Sequence, residues 1–411
     1  MTPRRLPAVI GFLVLLLGAA VVLAVGMVPG HVRVPERVSV PRELPGYSYL
    51  TTDSAHHPLG RATVLYRQGF GVESGDIPQV LALGSDGRTV RTVDVAVRRG
   101  PSQGDPAPMS LSPDGSRVAL GVWQTPRASA ADLALVDLAT GATRVLALPD
   151  APGVVPLAWS RDSRYLAYVT AGTAGPFEPS VLGPLVVLDT ATGRTRSVAE
   201  DVSAAAFSPD GSRIAVQSRS TSQVRVLDRS GGVLELLSAP AGTTLAGGDA
   251  WSPDGSLLAV RDDAAQEVEF LPARGGAPVP APVRAGGRVL GWLSATELLV
   301  PQAAGADHAG DYRLVRADLS TGTTRTWTSV PTAHGNYAVS DVSLATALLP
   351  EAHVVAPAGV DRGPWPVGLR LGLVLAGAVL ASFATTGLQR RVTSVRAAVR
   401  DPDWAADSFL G

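Results

Sequence analysis

Cysteine is absent from the 411 residues. Its absence removes disulfides, thiolate metal sites, cysteine nucleophiles and a lipid anchor on an N-terminal cysteine. Lysine is absent too, so all 35 basic side chains are arginine, and Asn336 is the single asparagine. Such a bias reflects a very GC-rich bacterial genome rather than selection on the fold. Charged residues are only 17% of the chain against 45% hydrophobic, and the net charge is −1. This balance excludes a strongly basic nucleic-acid binder and is too apolar for disorder. It directs attention to membrane segments first.

Two uncharged runs stand near the ends. Residues 6–28 follow Arg4 and Arg5 and are rich in Leu, Val, Ala and Gly. At about 1.5 Å per residue they can cross a hydrocarbon core of about 30 Å. The competing reading is a cleaved signal peptide, with Ala24 and Gly26 at the −3 and −1 positions of a cleavage site, although the run exceeds the usual apolar region of such peptides. The second run, 371–388, is preceded by Trp365 and Arg370 and followed by Arg390, Arg391, Arg396 and Arg400. Arginines at the outer ends of both runs put both termini in the cytoplasm by the positive-inside rule. The sequence thus reads as 1–5 cytoplasmic, 6–28 span, 29–61 linker, 62–349 extracytoplasmic domain, 350–366 linker, 367–388 span and 389–411 cytoplasmic tail.

The intervening domain repeats. LSPDGSRVAL (111–120), WSRDSRYLAY (159–168), FSPDGSRIAV (207–216) and WSPDGSLLAV (251–260) share one pattern, and GWLSATELLV (291–300) and AVSDVSLATALL (338–349) are weaker copies. The aligned serines Ser112, Ser160, Ser208, Ser252, Ser294 and Ser340 recur every 42 to 48 residues. In each intact copy Pro fixes φ at the second turn position, Asp bonds the local backbone and Gly takes the positive φ between two apolar strands. A second hairpin follows, with a strand ending in Asp and a turn around Thr-Gly, as in ALVDLATGATRVL (134–146) and VVLDTATGRTRSV (186–198). Two hairpins make a four-stranded antiparallel sheet, and radial repetition of such sheets is a β-propeller. The N-terminal hairpin 80–93 has no inner copy before it, and the sixth inner copy has no outer hairpin after it. Joined, these halves give an all-β, six-bladed β-propeller between two transmembrane helices, with seven blades the alternative. Residues 62–69 then supply the second strand of the closing blade, and ring closure removes exposed strand edges.

The SPDG inner hairpins and Asp-x-x-Thr-Gly outer hairpins resemble TolB-like and WD-repeat propellers, and specifically actinobacterial membrane-anchored WD-repeat domain proteins, over about residues 62–349. The Trp-Asp dipeptide of WD repeats is replaced here by Val-Asp, Leu-Asp or Ala-Asp. The resemblance implies a binding platform. Propellers also host enzymes, so it does not settle activity.

Catalytic signatures are scarce. The HExxH, P-loop and EF-hand patterns do not occur. His56-His57 is the one histidine cluster and reads as a solvated loop pair, so no catalytic, cofactor or metal residue is assigned and the chain is not expected to be an enzyme. Asp114, Asp210 and Asp254, and Asp137, Asp189, Asp228 and Asp318, are expected to hold turns. Trp159, Phe207 and Trp251 are expected to pack between blades. In a four-stranded meander the first and third turns share one tight face, and the longer connections 96–107, 123–131, 171–181 and 303–311 lie opposite. Loops on a rigid scaffold are the usual place for recognition. Candidate ligand-face residues are Arg98, Arg99, Trp123, Arg127, Phe177, Glu178, Asp262, Asp263, Asp307 and His308. The expected partners are a protein, peptide or glycan on the outer face and the lipid bilayer through two spans, with no nucleic acid and no cofactor. The alternative is a lactonase-like propeller hydrolase with a divalent metal in the central tunnel.

Overall fold

The computed structural model describes residues 17–18, 37–68, 79–99, 107–123, 131–148, 151–170, 181–274, 276, 278–303, 312–330, 339–357, 359–365 and 367–400. The chain divides into two compact units, His31–Gly363 and the two ends taken together, Met1–Gly30 with Pro364–Gly411.

Among the described residues the larger unit contains six four-stranded antiparallel sheets. From the innermost strand outward, blade 1 is Met109–Leu111, Arg117–Leu120, Ala131–Asp137 and Thr143–Leu148. Blade 2 is Val155–Trp159, Tyr165–Val169, Gly183–Asp189 and Thr195–Val202. Blade 3 is Ala204–Phe207, Arg213–Gln217, Gln223–Asp228 and Val233–Ser238. Blade 4 is Thr243–Leu245, Leu257–Asp262, Glu267–Pro272 and Val283–Arg284. Blade 5 is Gly291–Trp292, Glu297–Ala303, Tyr312–Asp318 and Thr323–Val330. In blade 6 the C-terminal strand Val339–Leu344 lies inside Ala62–Gln68, Gln79–Gly84 and Val90–Thr92. The ring therefore closes as the repeat arithmetic requires, with Tyr66 opposite Val342 and Arg67 opposite Asp341. Six blades, not seven, are formed.

One hydrogen-bonding device repeats at the inner turns. Ser112 Oγ donates to the Asp114 carboxylate at 2.7 Å and accepts the Arg117 amide at 2.9 Å. The same pair of bonds measures 2.5 and 2.8 Å at Ser160, 2.6 and 2.9 Å at Ser208, and 2.6 and 2.9 Å at Ser252. Each aspartate also accepts the amide two residues on, from Ser116, Arg164, Ser212 and Ser256. In the degenerate second copy Ser163 replaces the turn glycine and keeps its left-handed backbone, at φ 60°. Its Oγ accepts the Asp114 amide at 3.0 Å, so a cross-blade bond accompanies the unfavourable conformation. The outer turns work alike: Asp137 accepts the Ala139 and Thr140 amides, and Asp318 those of Ser320 and Thr321. These aspartates are structural, as the turn chemistry implies.

The blades pack through alternating apolar side chains, with Val118, Leu120, Leu166, Ile214, Val216, Leu258 and Leu298 fully enclosed. Inter-blade contact includes Trp251 Nε1 donating to the Ala206 carbonyl at 3.2 Å. Of the stretches 29–61 and 350–366, expected as linkers, residues 38–61, 350–357 and 359–363 form a belt on the blade edges. Ser39–Pro41 pairs in parallel with His353–Val355. Val40 and Leu44 are buried in the core shared by blades 5 and 6, and Tyr66 donates its hydroxyl to the Pro45 carbonyl at 2.5 Å. Asp53 bridges Thr92 and Asp361 bridges Thr89, which covers the outer edge of blade 6. The two segments cover the three-residue outer strand Val90–Thr92, whose edge would otherwise be open, and an open edge invites pairing. One short helix, Asp94–Arg98, follows that strand, where the sequence showed no helical period.

In the second unit the helix Val367–Arg400 spans 34 residues. Among the described residues no helix is long and apolar enough to cross a membrane. The side chains of Ser382, Thr385 and Leu388, within the uncharged run 371–388, lie outside the description.

Candidate functional site: the central tunnel

The strand pairing sets the two faces of the ring. In blades 1 to 4 the innermost strand leads into an SPDG-type turn, and the third turn falls on the same side, so the longer connections end on the other. Of the expected ligand-face residues, Arg98 is exposed at the end of its helix, and Arg99 pairs with Asp132, donating to its carbonyl at 2.8 Å. Trp123 is half-buried. Asp262 accepts the Ala264 and Ala265 amides at 2.8 and 2.9 Å, a turn role, and Asp263 lies 3.5 Å from Arg261. Arg127, Phe177, Glu178, Asp307 and His308 lie outside the described residues. The described members of the set do not converge on one spot; they belong to separate blade connections.

What converges is the tunnel. On the tight face its mouth is a cavity of about 60 Å³ lined by Trp159, Phe207, Trp251 and Trp292, with Pro113, Pro209 and Pro253 of the turns around them. The aromatic residues directly before Ser160, Ser208 and Ser252 thus line the mouth as well as packing between blades. A second cavity of about 50 Å³ continues inward past Leu157, Arg288 and Ser343. Gly248 and Asp249 line both. They belong to a Gly-Gly-Asp insert between the inner strand of blade 4 and Trp251. A Cβ at Gly248 would lie 2.5 Å from the Leu157 carbonyl of blade 2, so only glycine permits this crossing of the tunnel.

The insert delivers Asp249 to the tunnel wall. Burial pushes its carboxyl up to about 7, opposed by the nearby Arg288 guanidinium and a hydrogen bond from Thr346. Trp292 Nε1 donates to the Asp249 carbonyl at 2.9 Å, which fixes the insert to blade 5. Arg288 reaches the other way, pairing with Asp341 and donating to the Val342 carbonyl at 2.5 Å. Arg67, buried behind Asp341, donates to the Ala107 carbonyl; burial lowers its pKa, Asp341 opposes that shift and Arg288 adds to it. Trp159 Nε1 is buried at the mouth with no hydrogen-bond partner among the described residues.

The tunnel therefore carries alternating charges, Arg67, Asp341, Arg288 and Asp249, drawn from blade 6, the connection of blades 4 and 5, and the insert. A ring of carboxylates suited to a divalent cation is not what these residues form, because a guanidinium stands between the two aspartates. Among the described residues no group of three His, Asp or Glu side chains could hold a metal ion. His56 sits 3.4 Å from Asp53, away from the tunnel and exposed. Sequence reasoning missed Asp249, Arg288, Asp341 and Arg67. The legible signal was the Gly-Gly-Asp departure from an otherwise apolar approach to the repeat serine.

No family model matches the chain. No curated protein matches it either. Among solved structures the chain is similar to TolB from Acinetobacter baumannii, at TM-score 0.47 and 17% identity, over 69% of this chain and 67% of that one. The β-propeller domain of Myceliophteria thermophila Cps50 (Swd1) is similar at TM-score 0.39 and 16% identity, over 56% of this chain and 73% of that one. A chain of a nidogen/laminin complex is similar at TM-score 0.39 and 12% identity, over 70% and 99% respectively. The six closed blades themselves establish the β-propeller.

Proposed function

We propose that this chain is a membrane-anchored binding module of the bacterial cell envelope, with its propeller on the extracytoplasmic side and its longer connections presented to a protein, peptide or glycan. The observation that carries binding over hydrolysis is Arg288. Its pairing with Asp341 and its field on Asp249 neutralise the two tunnel carboxylates that a metal-dependent hydrolase would need. The anchor rests on the uncharged runs 6–28 and 371–388 with arginines at their outer ends. It is supported by the helix Val367–Arg400, on which Leu373, Leu375, Val379, Leu380 and Phe383 all expose more than half of their surface. The arginines after the second run, Arg390, Arg391, Arg396 and Arg400, suit anionic lipid headgroups.

Elemental analysis of the purified chain tests the enzymatic alternative, and stoichiometric divalent metal would replace the binding reading. Proximity labelling from the outer surface of intact cells tests the rest. Labelling of propeller side chains with a captured envelope partner is expected, and labelling only after lysis would remove the extracytoplasmic placement.

A further inference from the structure

The C-terminal helix has one covered stripe. Ala378 is only 2% exposed, whereas Leu373 and Leu375 on either side of Val374 are 53% and 52% exposed. Arg370, Val374 and Ala381 are half-buried on the same line, at the four- and three-residue spacing of one helix face. At Val374 that line is met by the N-terminal segment. Leu17 and Gly18 are helical, and a Cβ at Gly18 would lie 2.7 Å from Val374 Cγ1 and 3.3 Å from Cγ2. Glycine here lets one backbone approach the other helix, the device that joins apolar helices where no hydrophobic effect drives them together. The two chain ends also form one compact unit.

We infer that the N-terminal uncharged run is retained in the mature protein, packed through Gly18 on Val374 of the C-terminal helix, and is not a signal peptide removed after export. For its membrane setting the inference rests on the anchor reading above. A cleaved peptide has no need of a glycine fitted to a helix more than three hundred residues away.

The cysteine-free, lysine-free chain permits a direct test. Gly18→Cys with Val374→Cys, oxidised in isolated membranes, is expected to form a disulfide, because cysteines at contacting helix positions meet the required Cα separation. Trypsin cuts this chain only after arginine, so the link appears as peptide 6–33 joined to peptide 371–390, lost on reduction, in chains that migrate as monomers. Gly18→Cys with Leu373→Cys, on the exposed side, is the control expected to give no link. Equal linking in the control, or a link found only in dimers, overturns the pairing. In the unaltered chain, peptide 6–33 is expected in mature protein; a new N-terminus near Met27 in its place overturns retention even if the cysteine chain fails to accumulate. The two readings fail separately. A linked pair released by alkaline carbonate keeps the pairing and removes the membrane anchor, whereas a membrane-retained chain without peptide 6–33 does the reverse.

Discussion

Asp210 and Asp249 stand close in sequence and face opposite electrostatic fates. Asp210 accepts hydrogen bonds from the Ser208 hydroxyl and from the Ser212 amide and hydroxyl, which together hold its carboxyl down at about 2. Asp249 lines a narrow tunnel, where burial outweighs Arg288 and Thr346 and pushes the carboxyl up to about 7. The first is saturated by donors from its own turn; the second depends on groups brought from three places in the ring. The difference teaches that an aspartate's role in this propeller follows from where its donors come from, not from its position beside the repeat motif.

The largest expected effect tests how self-contained the turns are. Gly115 and Gly255 occupy the same motif position at φ 72° and 70°. A Cβ at Gly115 would lie 2.1 Å from the Ala62 carbonyl, whereas at Gly255 the nearest atom is the end of the Arg274 side chain at 3.3 Å. Gly115→Ala is therefore expected to cost roughly 3 kcal/mol or more, and Gly255→Ala about 1 kcal/mol, in denaturant unfolding. Equal losses would show that the turn at Gly115 does not lean on the closing blade.

Next comes the tunnel carboxyl. Asp249 is raised from 3.8 unfolded to about 7 folded, so the unfolded chain releases its proton first and native stability falls as pH rises between those values. Asp249→Asn should remove that slope, and its stability relative to the parent should therefore be higher near pH 7 than near pH 4. Unfolding midpoints across that window measure it, and a parallel profile for the two proteins would mean that the carboxyl is ionised in the tunnel.

Asp210 gives the opposite sign over a smaller displacement. Its folded value of about 2 lies below the unfolded 3.8, so its contribution is present above the higher value and lost as pH falls through the lower. Asp210→Asn is expected to cost about 1 to 2 kcal/mol at neutral pH, with the deficit closing in acid. The smallest effect belongs to Ser163→Ala, which removes the acceptor of the Asp114 amide; about 1 kcal/mol, seen in thermal unfolding, is expected.

The blade architecture was legible because SPDG carries its own mechanism: Ser, Pro, Asp and Gly each do a local job within a few residues. Even the degraded copy around Ser163 keeps that geometry. Blade count followed from two unmatched half-blades, and the pairing of Ala62–Gln68 with Val339–Leu344 bears it out. The belt was not legible, since 38–61 is rich in Pro and polar residues and its strand Ser39–Pro41 is only three residues long. Nor was the tunnel: Arg67 and Asp341 are far apart in sequence and face each other only because the ring closes through blade 6.

By itself the sequence determined what is local and periodic, namely the turns, the alternating strands, the number of blades and the uncharged runs at both ends. Each depends on contacts within one repeat or on a count of repeats. Tertiary structure alone decided which aspartates face the tunnel, that Arg288 stands between Asp249 and Asp341, and that Gly18 meets Val374. Those outcomes depend on separations of many tens to hundreds of residues, and no local propensity encodes them.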